Sequence, residues 1–119
     1  MRLIEVSYGA AQAIEGYGPG FFRVGPHLLR GASLVTPWDA GGWGGLTDTA
    51  GPLALVGRID VLLLGMGAAI APVPRGFRDA LEAAGIGVEP MSSPAACRTY
   101  NVLLGEGRRI AAALLPVGA

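Results

Sequence analysis

The sequence predicts an α/β (mixed α+β) fold: a three-layer β+β/α arrangement in which an N-terminal antiparallel meander joins a β-α-β-α-β parallel sheet. Three observations predict it. Short apolar segments in the first third are separated by Gly-Pro turn signals. The run Val61-Leu62-Leu63-Leu64 is apolar throughout and bounded by turn residues, as in a strand buried on both faces. Two segments with helical periodicity then alternate with two further apolar runs.

Taken in order, Gln12 to Tyr17 alternates as a strand does, and Gly18-Pro19-Gly20 ends it. Phe21 to Val24 follows, with Phe22 and Val24 on one face and Arg23 on the other. Gly25-Pro26 is the next turn. His27 to Thr36 reads as one longer strand with a bulge or bend at Gly31, closed by Pro37. Trp38 to Gly45 reads as an irregular loop whose indoles cap the sheet core rather than form a ligand platform. Thr47 or Asp48 caps a short helix running to about Gly57. After the Val61–Leu64 strand comes Gly65-Met66-Gly67. Pro74 suits the first position of a helix, Phe77, Ala80, Leu81 and Ala84 form its apolar stripe, and Gly85 its left-handed end. Ile86 to Met91 is the second parallel strand. Ser93 is placed as the cap of the next helix with Pro94 at its first position, and Gly105 or Gly107 ends it. Arg109 to Val117 completes the sheet as a buried strand.

The bulk properties restrict the function. A chain of 119 residues fits a single domain, 1–119, with its core at about 10–117. Hydrophobic residues make up 51% and charged ones 15%, which excludes a disordered chain. Nine arginines balance nine acids, lysine is absent and no basic stripe exists, so nucleic acid is not an expected partner. Zero net charge on an apolar chain favours self-association into a homo-oligomer. One cysteine excludes an internal disulfide and any cysteine metal cluster, and fits a reducing, cytoplasmic location. Met1 to Glu5 lacks the order of a signal peptide. The charge-free run Val61 to Val73 is too short to span a bilayer, which leaves peripheral membrane association. One histidine, one cysteine and scattered acids make no metal site, and no nucleotide motif or other cofactor signature is present.

Chemistry concentrates in Ser92 to Asn101, at the carboxyl edge of the expected parallel sheet, where such sheets bind ligands. Gly65, Met66 and Gly67 form one loop there, and Ser92 and Ser93 the other, each leading to a helix N-terminus with N–H groups for an anion. Cys97 beside Arg98 near a helix start has the setting of a reactive thiol. No general base accompanies it, since His27 is far away in sequence, so a small buried hydrophobe is the preferred reading. Arg98 suits a carboxylate or phosphate clamp or an ordinary ion pair, Tyr100 is read as core with its hydroxyl bonded, and Asn101 lies on the helix's outer flank. The ligand-binding candidates are therefore Gly65, Met66, Gly67, Ser92, Ser93, Cys97, Arg98 and Asn101, with no catalytic residue assigned.

The order of Tyr17-Gly18-Pro19-Gly20-Phe21-Phe22-Arg23-Val24-Gly25, Gly31-Ala32-Ser33-Leu34-Val35-Thr36-Pro37, Val61-Leu62-Leu63-Leu64-Gly65-Met66-Gly67 and Ala96-Cys97-Arg98-Thr99-Tyr100-Asn101 resembles the Mth-type family of domains of unknown function. That family includes a mitochondrial respiratory complex I assembly factor and an adipogenesis-associated protein. The resemblance covers about residues 10 to 117 and implies the same three-layer fold. It further implies a binding or assembly module with a protein partner, working near a membrane, and it carries over no enzymatic activity. The alternative is an anion-binding protein or enzyme using the strand ends near Gly65, Gly67, Cys97 and Arg98. The Trp38–Gly45 loop is richer in Trp and Gly than the family pattern implies.

Overall fold

The computed structural model describes residues 12–118. The reading of Met1 to Glu5 lies outside the described residues. Among the described residues, eight strands and three helices form a mixed α/β fold with one antiparallel and one mixed sheet.

The first sheet is the expected meander: β1 (Ile14–Gly18), β2 (Phe21–Val24) and β3 (His27–Arg30), all antiparallel. A bulge between Ile14 and Gly16 lets Glu15 stand outside the register. Phe22 pairs with Leu29, and Ile14, Phe22 and Val24 turn their side chains into the core.

The expected single strand from His27 to Thr36 is two strands in different sheets. Gly31, with φ +77°, redirects the chain after β3. β4 (Ser33–Val35) then pairs antiparallel with the last strand of the second sheet. The expected irregular loop also contains a strand, β5 (Ala40–Gly42), the other arm of a hairpin with β4. Thr36 sets its turn: the hydroxyl accepts the N–H groups of Trp38 and Asp39 at 3.0 and 2.9 Å. Of the two indoles only Trp43 caps the core. It is buried edge-on against Phe77, donating its N–H to the Asp48 carbonyl, whereas Trp38 is 44% exposed.

The short helix α1 (Ala50–Leu53) starts after Thr49 without a side-chain cap, and Asp48 does the work sequence reasoning gave to the cap. Its carboxylate accepts the N–H groups of Gly51 and Gly44, both at 3.0 Å. Those backbone bonds hold its pKa below the ordinary carboxylate value.

The second sheet has the order β5-β4-β8-β6-β7, where β6 is Val61–Gly65, β7 is Gly87–Met91 and β8 is Ile110–Leu114. β6 pairs parallel with both β7 and β8, as the β-α-β-α-β pattern requires. Helix α2 (Arg75–Ala83) connects β6 to β7, and helix α3 (Ser93–Gly105) connects β7 to β8. The chain moves outward from β6 to β7, then back past β6 to β8. Right-handed crossovers in opposite directions place the two helices on opposite faces. Leu62, Leu64, Ala111 and Ala113 thus pack with Phe77 and Leu81 of α2, while Leu63, Ala112 and Leu114 pack with α3 and the meander.

Both long helices end on the glycine expected of them. Gly85 (φ +92°) and Gly107 (φ +74°) are left-handed, and in each case the next residue's N–H returns to the last turn, Ile86 to Leu81 and Arg108 to Leu103. Ser92, not Ser93, is the N-cap of α3. Its hydroxyl accepts the N–H of Ala95, which moves Pro94 to the second helical position.

β7 is an edge strand containing a proline. Gly87 N–H bonds to the Asp60 carbonyl, and the Met91 carbonyl accepts from Met66 N–H. The two-residue period turns Gly87, Glu89 and Met91 toward β6, and Val88 and Pro90 toward the open side. Pro90 therefore removes no bond from the ladder.

Candidate functional site

Loops leaving β6 and β7 run to opposite faces, so a crevice between Gly65–Gly67 and Met91–Ser93 is where topology places a ligand in such a sheet. The structure brings these residues together, and they bond to one another. Gly67 N–H donates to Ser93 Oγ at 2.9 Å, and Ser93 N–H donates to the Gly67 carbonyl at 2.7 Å. Ser93 Oγ donates in turn to the Leu115 carbonyl at 2.6 Å, while Leu115 N–H returns to the Gly65 carbonyl at 2.9 Å. Ser93 is fully buried. One hydroxyl thus stitches three loops, at the place an anion would occupy.

The close approach explains Gly65. A Cβ there would lie 2.7 Å from Ser93 Oγ, 2.9 Å from Ser93 Cα and 3.0 Å from Leu114 Cδ2. Met66 sits partly buried against the α2-side core. At the α3 start, Ser93 N–H is spent on Gly67, Pro94 has no N–H, and Ala95 and Ala96 donate to Ser92 Oγ and the Ser92 carbonyl. The first turn has no N–H group left for a ligand.

Cys97 is 4% exposed, in the core between α3 and the meander. Burial pushes its thiol from 9.0 up to about 11, and the neighbouring Arg98 charge offsets only part of that. At neutral pH it is a protonated thiol, inert as a nucleophile. Arg98 points out of the core and is exposed. Tyr100 is core as expected, but its hydroxyl is not tied off: it is buried without a hydrogen-bond partner among the described residues, and burial pushes its pKa upward. Asn101 has a role that sequence reasoning missed. Its Oδ1 accepts the Ile14 N–H at 2.8 Å and its Nδ2 donates to the Ile14 carbonyl at 2.9 Å. It pairs with the edge of β1 as another strand would.

Three cavities lie elsewhere. One of about 360 Å³ is lined by Val24, His27, Thr36, Trp38 and Asp39. A second, of about 340 Å³, lies on the other side of the β4–β5 hairpin, between Trp38, Gly41, Gly51 and Arg58. A third, of about 420 Å³, is apolar and lined by Ile70 to Val73, Arg78 and Pro90. None is lined by Cys97, Arg98 or Ser93. Trp38 lines both of the first two, and on the side of the second the Arg58 guanidinium carbon stands 3.9 Å from its ring centroid. The signal for this place in the sequence is the Trp- and Gly-rich segment. No cluster of metal-ligating side chains occurs among the described residues, and no helix among them is long and apolar enough to cross a membrane.

Comparison with known proteins adds to this geometry. A family model described as "Protein of unknown function (DUF498/DUF598)" matches residues 14–115. An uncharacterized protein of Rhodobacter capsulatus is 50% identical, over 95% of this chain and 91% of its own. The NADH dehydrogenase [ubiquinone] 1 alpha subcomplex assembly factor 3 of Danio rerio is 31% identical, over 98% of this chain and 71% of its own. Among solved structures, one described as an outer membrane protein from Bartonella henselae superposes with a TM-score of 0.82 at 34% identity, covering 91% of this chain and 97% of that one. A Mth938-like domain from Bordetella pertussis superposes with a TM-score of 0.75 at 27% identity, covering 92% and 88%.

Proposed function

This chain belongs to the DUF498/DUF598 family, and from that premise we propose that it is a non-catalytic binding module assisting the assembly of a respiratory NADH dehydrogenase through contacts with protein partners. The observation that carries this reading is the 31% identity to the Danio rerio assembly factor, which runs over 98% of the chain rather than one motif. The local chemistry supports the non-catalytic part. The thiol is buried and protonated, the Ser93 hydroxyl is committed to backbone, and the Asn101 amide is committed to β1. The same commitments weaken the alternative of an anion site at Gly65, Gly67, Cys97 and Arg98. We place the module in the cytoplasm, free or against the membrane surface.

The test is affinity capture of the tagged full chain from its own bacterium, with mass spectrometry of the captured material. NADH dehydrogenase subunits are expected well above an untagged control, and a deletion strain is expected to accumulate less assembled enzyme. Capture of no such subunit, together with normal enzyme levels in the deletion strain, sinks the reading. Fractionation of the same cells checks the location: recovery in the outer membrane, where the name of the Bartonella henselae protein would put it, contradicts it.

A further inference from the structure

The segment Trp38–Gly45 holds four glycines, and the fold requires only two of them. A Cβ on Gly44 would fall 2.9 Å from Asp48 Cβ, and Gly45 has a φ of +84°. Gly41 and Gly42 sit in β5 without positive φ, and a Cβ added to either meets nothing within 4 Å. Glycine weakens a strand, and one use of it where the fold leaves room for a side chain is to let something else approach closely.

What approaches Gly41 enters the groove of about 340 Å³ between β5, α1 and Arg58. Leu34, which pairs with Gly41, forms its floor together with Gly51. Ala54 and Leu55 make one wall. Trp38 and Arg58, stacked at 3.9 Å, make the other. Trp and Arg are the residue types that most often anchor protein interfaces. Arg58 is exposed and has no hydrogen bond or ion pair to another described residue; with its face held by the indole, its guanidinium suits a carboxylate. Asp39 also borders the groove, with Oδ1 3.0 Å from the Thr36 hydroxyl. Its charge repels an acidic group at the hairpin end and so steers one to the Arg58 end.

We propose that this groove docks a segment of a partner protein in which a carboxylate stands beside a large apolar side chain, the carboxylate on Arg58 and the apolar group over Gly41 against Trp38. The proposal rests on the assembly reading and sharpens it.

The test begins with the purified full chain and a random dodecapeptide phage library. Recovered peptides are expected to share an Asp or Glu next to a Leu, Ile or Phe. A synthetic copy, followed by fluorescence anisotropy, is expected to lose at least about tenfold in affinity on Gly41→Leu and on Arg58→Glu, and none on Arg75→Glu, a control at an exposed arginine that lines none of the three cavities. Gly41→Leu fills the groove without straining the backbone; Arg58→Glu is a second variant should the first disturb folding. A fresh selection on Arg58→Glu is expected to replace the acidic residue with a basic one. Absence of a shared motif, or equal binding to all variants, overturns the proposal, whatever becomes of the assembly reading. In the capture experiment, NADH dehydrogenase subunits retained by both groove variants overturn the groove as docking site and leave the assembly reading standing.

Discussion

At Cys97 two effects oppose each other: removal from water raises the thiol pKa, and the Arg98 charge lowers it, with burial winning. The consequence is a pH dependence of stability. The unfolded chain releases the thiol proton near pH 9.0, whereas the folded chain holds it to about 11. The folded state therefore binds more protons in that window. Its stability is complete below pH 9.0 and falls as the pH rises toward 11, by on the order of 2 kcal/mol. Urea unfolding at about pH 8 and about pH 10.5 is expected to show a larger loss in the wild type than in Cys97→Ala, because only the wild type carries the thiol. An equal loss in both removes the claim. At this scale the sequence was half legible. The lack of a nearby base argued correctly for a buried thiol. That the Tyr100 hydroxyl has no partner among the described residues was not foreseeable, because residue type says that a phenol wants a partner, not whether the packing supplies one.

Among the elements, the loops at the carboxyl ends of β6 and β7 carry the sharpest steric demand. Gly65→Ala sets a methyl against Ser93 Cα, a backbone atom that cannot swing aside. A loss of about 3 kcal/mol is expected, read as a shift in the denaturant midpoint. A stability change near zero would mean that α3 can slide away from β6. The location of this site was legible, because strand, glycine and capped helix start follow each other directly in sequence. Its closure was not. The partners of the Ser93 hydroxyl are 26 and 22 residues away, and no local pattern announces that they meet. Strand assignment failed for the same reason at Ser33–Val35. Alternation shows that a segment is extended, but only the left-handed turn at Gly31 decides which sheet it joins.

For the molecule as a whole, the joint between the meander and the rest of the core has few side-chain hydrogen bonds among the described residues. Asn101 spans 87 residues of sequence to satisfy both backbone groups of Ile14. Asn101→Leu keeps the volume and leaves that N–H and carbonyl unpaired, for an expected cost of about 2 kcal/mol. Hydrogen exchange localises the effect: the Ile14 amide should lose protection while the amides of β6 keep theirs. Uniform loss across both sheets would show that the residue supports the fold globally instead. The three layers were legible from periodicity and turn chemistry because each layer buries its own apolar face. Their attachment was not, since Asn101 reads as a solvent-facing flank until α3 is laid beside β1.

Pro90 bears on how such a greasy chain stays out of aggregates. On the ribosome β6 and β7 emerge before β8 exists, and a half-built parallel sheet is open to strand exchange with a neighbouring chain. With Gly87, Glu89 and Met91 turned toward β6, the outer edge of β7 offers only the Val88 N–H along its five residues. A foreign strand finds almost no donors to pair with there. One imino acid in a position that costs the native ladder nothing thus guards the edge that β7 presents in the nascent and in the finished sheet alike.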